Sequence, residues 1–320
     1  MELGTLSFPA PPEGLIIDLV TPLAGDGVLD GPGLERLVAR VLPAADGLLA
    51  GSPLAGEGLD LPLSTRRELF TRLLPLVAGR VPIFFGITGP TQEETRDLAA
   101  WVREEVGRQG YGGALFLTDA PLWYHSIRGL PQTFQALLAA IPLPLILLNL
   151  PQTVRRRGVM LKHLNIRTQV FKKLAALPEV HGLIYQGEMR RFLHYHHAAA
   201  ARPGFAFYET DEERFLTRPG AWGVVSGGAQ LLPRAWQQVT RACLHPEEMA
   251  DDPSRRFALW DLGNRLQQVC HLSPESSPAL WKKVLYSQGV ISSPGAAAGT
   301  PHEAPDTVKK LLELLAEFAD

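Results

Sequence analysis

Short apolar runs of four to eight residues recur through the first 226 positions, each breaking into a polar or glycine-rich junction followed by a longer stretch with helical spacing. That alternation predicts parallel strands joined by crossover helices. Strands are expected at Leu15–Val20, Gly47–Ala50, Ile83–Gly86, Ala114–Thr118, Leu143–Asn149, His181–Tyr185, Phe205–Tyr208 and Trp222–Ser226. Helices are expected between them at Gly33–Leu42, Ser64–Val77, Thr91–Arg108, Leu130–Ala140, Thr168–Leu177, Glu188–Ala201 and Asp211–Thr217. Ser64 and Thr91 each precede carboxylates in a first turn, as helix caps do. No strand reads as a polar edge, so the pattern predicts a closed (β/α)8 TIM barrel rather than an open sheet.

Past Ser226 the pattern is helix only. Leu232–Ala242 completes the barrel, and Ser254–Val269, Pro278–Ser287 and Thr307–Phe318 form a C-terminal three-helix extension. The expected division is a barrel over residues 1–245 and a helical extension over 246–320 packed on it, with Ser292–Pro301 as a loop.

Barrel chemistry sits at the carboxyl ends of strands, so the residues closing each apolar run are the candidates. In the first strand, alternation puts Asp18 on the face of Ile16 and Val20, where a carboxylate must be paired or must meet a ligand. The second runs into Gly51-Ser52-Pro53-Leu54-Ala55-Gly56-Glu57, either an ordinary glycine loop or one whose N–H groups bind an anion. Trp123, Tyr124 and His125 follow the fourth strand, an aromatic cluster suited to a site or a subunit contact. Asn149 ends the fifth, and Arg155, Arg156 and Arg157 beyond it read as solvated surface or as an anion clamp. Tyr185 and Gln186 end the sixth strand, Glu209 the seventh and Ser226 the eighth. His194 and His197 share a helix face, yet no carboxylate or further histidine joins them at metal spacing, so no metal site is expected.

Composition narrows the class. At 320 residues, 46% hydrophobic and 20% charged, the chain can bury one large core. A net charge of -2 offers no field for nucleic acid or an anionic membrane, and neither partner is expected. Cys243 and Cys270 make no disulfide framework or metal spacing and read as buried hydrophobes in a reducing compartment. No apolar run is long enough to span a bilayer and the start lacks a secretory pattern, so a cytoplasmic protein is expected.

The strand ends taken together resemble the dihydrodipicolinate synthase / N-acetylneuraminate lyase family of pyruvate-dependent class I aldolases. The resemblance is carried by Leu19-Val20-Thr21-Pro22 with Gly25 and Asp30, by Gly51-Ser52-Pro53 and Gly56-Glu57 in place of Gly-Thr-Thr-Gly-Glu, and by Val81-Pro82-Ile83-Phe84-Phe85-Gly86. Pro121-Leu122-Trp123, Asn149-Leu150-Pro151 and Gly220-Ala221-Trp222-Gly223-Val224-Val225-Ser226 extend it over nearly the whole chain. It implies a barrel with three C-terminal helices, assembled as a homodimer or homotetramer.

It also implies a lysine on the sixth strand, in a Gly-Ile-Lys context, that forms an imine with pyruvate. Gly182-Leu183-Ile184 occupies that context, so Ile184 stands where the amine is due; Lys162, Lys172 and Lys173 lie elsewhere in the sequence. The family's proton-relay tyrosine corresponds to Leu148, its threonine pair to Ser52-Pro53 with two residues inserted behind, its cross-dimer tyrosine to Trp123 or Tyr124, and its arginine to Thr153 or Arg155. Asp18 replaces a small neutral residue beside the expected carboxylate site.

The resulting expectation is a catalytically degenerate member of the family that needs no cofactor and binds a small polar ligand in its barrel or serves as a scaffold. Asp18, Ser52, Tyr124, Asn149, Tyr185, Gln186, Glu209 and Ser226 are the expected pocket. Two alternatives stay open: an enzyme acting on a sugar- or keto-acid-like substrate without an imine, through Asp18 or Tyr185, and a conventional pyruvate-dependent lyase.

Overall fold

The computed structural model describes residues 8–25, 27–158, 163–217, 220–249, 252–273, 277–297 and 305–318. Strands β1 (Gly14–Asp18), β2 (Gly47–Ala50), β3 (Ile83–Gly86), β4 (Leu115–Asp119), β5 (Leu145–Asn149), β6 (Val180–Tyr185), β7 (Ala206–Glu209) and β8 (Gly223–Ser226) are all parallel and close into a barrel. Closure is made by β8 on β1, from Gly14 opposite Gly223 to Ile17 opposite Ser226.

The helices around it are α1 (Gly31–Val41), α2 (Leu63–Val77), α3 (Gln92–Gln109), α4 (Leu130–Ala140), α5 (Pro151–Arg156), α6 (Thr168–Ala175), α7 (Met189–Ala199), α8 (Glu212–Thr217) and α9 (Pro233–Leu244). The fifth strand starts at Leu145, two residues later than the apolar run suggests, because Pro144 has no N–H for the ladder. Thr91 caps α3 as expected, accepting from the Glu94 N–H at 3.1 Å. Ser64 does not cap α2: the helix begins at Leu63, after Pro62, with no side-chain cap. Helix α5 is additional to the expected helices; Pro151 at its first position supplies the preset φ that starts a short helix.

Inside the barrel, the stagger between neighbouring strands stacks inward side chains in tiers of four from alternate strands. From the base upward the tiers are Gly47, Phe116, Gly182 and Gly223; Ile16, Phe84, Ile146 and Tyr208; and Leu49, Thr118, Ile184 and Val225, with Asp18, Gly86 and Leu148 above them. The tiers interlock. A Cβ on Gly47 would lie 2.8 Å from the Ile16 side chain and 3.0 Å from the Phe84 ring, and one on Gly182 would lie 3.0 Å from Ile146. Glycine here gives the bulky tier above its room, and Phe84 uses it to stack on Phe116 at 5.1 Å. The opposite faces of the strands carry a second, larger core against the helices, with Leu34, Leu37, Val38 and Val41 of α1 typical of the buried stripe.

The extension consists of α10 (Pro253–Leu272), α11 (Pro278–Ser287) and α12 (Pro305–Ala316). It is fastened to the loops above the carboxyl ends of β1, β2 and β8. Lys282 of α11, fully buried, forms an ion pair with the buried Glu57 carboxylate from the loop after β2. The same carboxylate accepts from the Ala297 N–H at 2.8 Å, and Asp30 accepts from the Ser292 N–H at 2.8 Å. Trp281 covers Gly227, where a Cβ would fall 2.3 Å from its ring. Glu57 holds this position with a left-handed φ of 54°, a conformation costly for a residue with a side chain and kept by the contacts its carboxylate makes. Removing one partner of a buried pair leaves the other charge uncompensated. Lys282→Met is therefore expected to destabilise the fold by about 3–5 kcal/mol in urea unfolding, and adding Glu57→Gln is expected to recover much of that loss.

Candidate functional site at the barrel mouth

The tier at the carboxyl end of the barrel carries the candidate chemistry. Asp18 is 1% exposed and projects inward beside Ile16, as the alternation requires. Its Oδ2 accepts from the Ser52 hydroxyl at 2.8 Å and the Ala55 N–H at 3.2 Å, while Oδ1 has no hydrogen-bond partner among the described residues. Burial pushes its carboxyl up to about 7; the bonds from Ser52 and Ala55 oppose the rise, and the nearby Glu212 carboxylate adds to it.

Ser52 organises the loop above. Its Oγ donates to Asp18 and accepts from the Leu54 N–H at 3.1 Å and the Gly56 N–H at 3.0 Å, so all of its hydrogen-bonding capacity is engaged. Gly51, at φ 63°, turns the chain inward, and its carbonyl fills the space a side chain on Gly86 would need, 2.1 Å from that Cβ position. The loop is thus folded down into the mouth, and Leu54 packs against the apolar cluster that contains Leu148, Leu150 and Ile184. Leu148 and Ile184 are register partners on β5 and β6, 2% and 0% exposed.

The rim beside this plug is polar but internally paired. Tyr124 donates to Asp119 Oδ2 at 2.6 Å, and the Thr88 hydroxyl donates to Asp119 Oδ1 at 2.8 Å. Burial raises the Asp119 carboxyl to about 6 against the opposing bonds from Tyr124 and Thr88 and the Arg66 charge. Trp123 is half-buried beneath the Arg157 guanidinium, 5.8 Å from its ring centre.

Comparison with known proteins matches residues 11–291 to the Dihydrodipicolinate synthetase family. The chain belongs to that family. It is 30% identical over 218 residues to a 4-hydroxy-tetrahydrodipicolinate synthase of Limosilactobacillus fermentum, covering 67% of this chain and 65% of that one. A 4-hydroxy-tetrahydrodipicolinate synthase of Methylococcus capsulatus is 26% identical over 284 residues, 87% of this chain and 89% of its own length. The fold superimposes on the dihydrodipicolinate synthase structure from Bacteroides thetaiotaomicron with a TM-score of 0.79 at 23% identity, covering 97% of this chain and all of that one.

Four residues expected in the family pocket lie elsewhere. Asn149 and Tyr185 follow the inward Leu148 and Ile184, so the pleat turns both outward. Asn149 accepts from the Ile166 N–H at 2.9 Å and donates to Asn165 at 2.9 Å, tying down the connection to α6. Tyr185 donates to the Glu188 carbonyl at 2.9 Å and packs edge-on to Tyr195 of α7. Glu209, next to the inward Tyr208, accepts from the Thr210 and Asp211 N–H groups at 3.1 Å each and caps the approach to α8. Ser226 donates to Glu212 at 2.6 Å and accepts from the Ala229 N–H at 2.9 Å.

Asp18, Ser52, Leu148, Ile184 and Gln186 remain at the mouth, where the Gln186 Oε1 is buried without a partner among the described residues. Thr118, absent from the expected set, lies one tier below Asp18 with an equally unpartnered hydroxyl; its alternation with Phe116 was the signal. Lys172 and Lys173 are exposed on α6, and Lys162 lies outside the described residues. His196 is stacked on Phe207 at 3.7 Å, and among the described residues no cluster of His, Cys, Asp or Glu could hold a metal ion.

The raised Asp18 carboxyl has a signed consequence for stability. Its folded value of about 7 exceeds the 3.8 of an unperturbed aspartate, so between these values the folded state binds the proton more tightly. Stability is then highest at the acid end of that window, falls as pH rises through it and levels off above about 7. Glu209, also raised to about 7, contributes with the same sign. Asp18→Asn is expected to flatten the decline between pH 5 and 8 in urea unfolding series, and an unchanged slope would show that Asp18 does not titrate there.

Proposed function

We propose that this chain is a dihydrodipicolinate synthase-like protein that has lost imine chemistry and keeps its barrel for binding or assembly. The observation carrying this reading is Ile184, which occupies the expected lysine position and packs with Leu148 in one apolar cluster beneath the loop after β2. An imine needs an amine with a free electron pair held in the pocket. Lys282, the buried lysine among those described, is instead engaged by Glu57. Sodium borohydride treatment in the presence of pyruvate is expected to leave the intact mass unchanged. A lysine adduct would overturn the proposal and restore the conventional lyase reading.

A second reading rests on a different observation, the unpartnered Asp18 Oδ1 and Thr118 Oγ1 in adjacent tiers. Buried polar atoms ordinarily have partners, and a small ligand rich in hydroxyls could supply them after the loop lifts. A carboxylate at that point disfavours a keto acid. Thermal-shift screening is expected to rank neutral polyols above pyruvate, and Asp18→Asn is expected to erase the difference. Equal shifts from both ligand classes would remove this reading. No helix among the described residues is long and apolar enough to cross a membrane. A cytoplasmic homo-oligomer remains the setting we propose.

A further inference from the structure

Outside the mouth, a cleft of about 650 Å³ lies at the opposite, amino-terminal end of the barrel, between α9, the start of α10 and the entries to β1 and β2. That volume falls within the roughly 300–1,000 Å³ of small-molecule sites. We propose that this cleft binds a free α-amino acid with an aliphatic side chain. The proposal is independent of whether the mouth retains any activity.

The ligand class follows from what each wall presents. The barrel contributes carboxylates: Glu13, immediately before β1, and Asp46, immediately before β2. Asp46, exposed at the cleft wall, accepts from the Leu15 N–H at 2.8 Å, a single neutral donor. Burial raises its carboxyl, the Leu15 bond and the Arg241 charge oppose the rise, and Glu13 adds to it. A ligand ammonium between Glu13 and Asp46 would face both carboxylates at once.

The helices contribute the opposite sign, Arg241 of α9 and Arg255 of α10. Arg241 spends Nε and Nη2 on Glu248, at 2.9 and 3.1 Å, which holds the guanidinium in place and leaves its Nη1 uncommitted in those bonds. A carboxylate is the natural acceptor for such a group. Leu244, Leu259 and Leu262 line the same cleft, and a purely polar ion would leave them wet. Both charges carried on one carbon with an aliphatic branch answer all three surfaces, whereas an amine or an acid alone answers only part.

The test is isothermal titration of the full chain with L-leucine, with isopentylamine and 4-methylpentanoate as comparators lacking one charge each. Leucine is expected to bind and both comparators to bind about tenfold more weakly or worse. Asp46→Asn and Arg241→Gln are each expected to weaken leucine by about tenfold or more. Melting temperatures of the unliganded variants establish that they fold, and Glu13→Gln replaces Asp46→Asn if the latter does not. Absence of leucine binding to the wild-type chain, a comparator binding as tightly as leucine, or undiminished binding by folded variants would each overturn the proposal.

Discussion

The buried pair of Glu57 and Lys282 is the constraint on which the upper half of the molecule depends. A carboxylate and an ammonium, both removed from water, are tolerable only while each faces the other and their remaining sites are bonded. Satisfying them fixes three segments together: the loop after β2, helix α11 and the chain around Ala297. Because Glu57 is held at a left-handed φ, the loop cannot relax into an ordinary hairpin-like excursion. It is directed back over the mouth, where Ser52 and Ala55 find Asp18.

Closure of the mouth is therefore a cooperative result rather than the work of a single substitution. Isoleucine and leucine on adjacent strands make a dry floor, and a loop that brings Leu54 to that floor removes its exposed apolar surface from water. Asp18 gives the loop a polar anchor within this dry region, at the cost of a carboxyl shifted toward the neutral form. At this end of the barrel apolar side chains are packed under main chain. The proposed functional reading rests on that packing.

The amino-terminal base contrasts with this. There the strands enter rather than leave, and charges of both signs remain around a cleft. Conserving a barrel while sealing one end leaves the other as accessible surface, and its electrostatic variety suits it to a ligand that carries both signs.

The strand sequence and the closed barrel were legible in the chain because a strand buried on both faces must be a short apolar run, and eight such runs alternating with helical stripes leave no free edge. The position of Ile184 was legible too, since it depends on local order after Gly182. Which polar residues face the mouth was not. Asn149, Tyr185, Glu209 and Ser226 stand at strand ends, as Asp18 does, but facing is set one residue at a time by the pleat, and the register between strands decides which tier each joins. The short helix at Pro151 and the link from Glu57 to a lysine more than two hundred residues later were likewise beyond sequence order. The sequence by itself determined the elements and their order; only the tertiary structure decided that the loop after β2 fills the mouth, because that depends on charges and backbone donors far apart in the chain meeting where water is excluded.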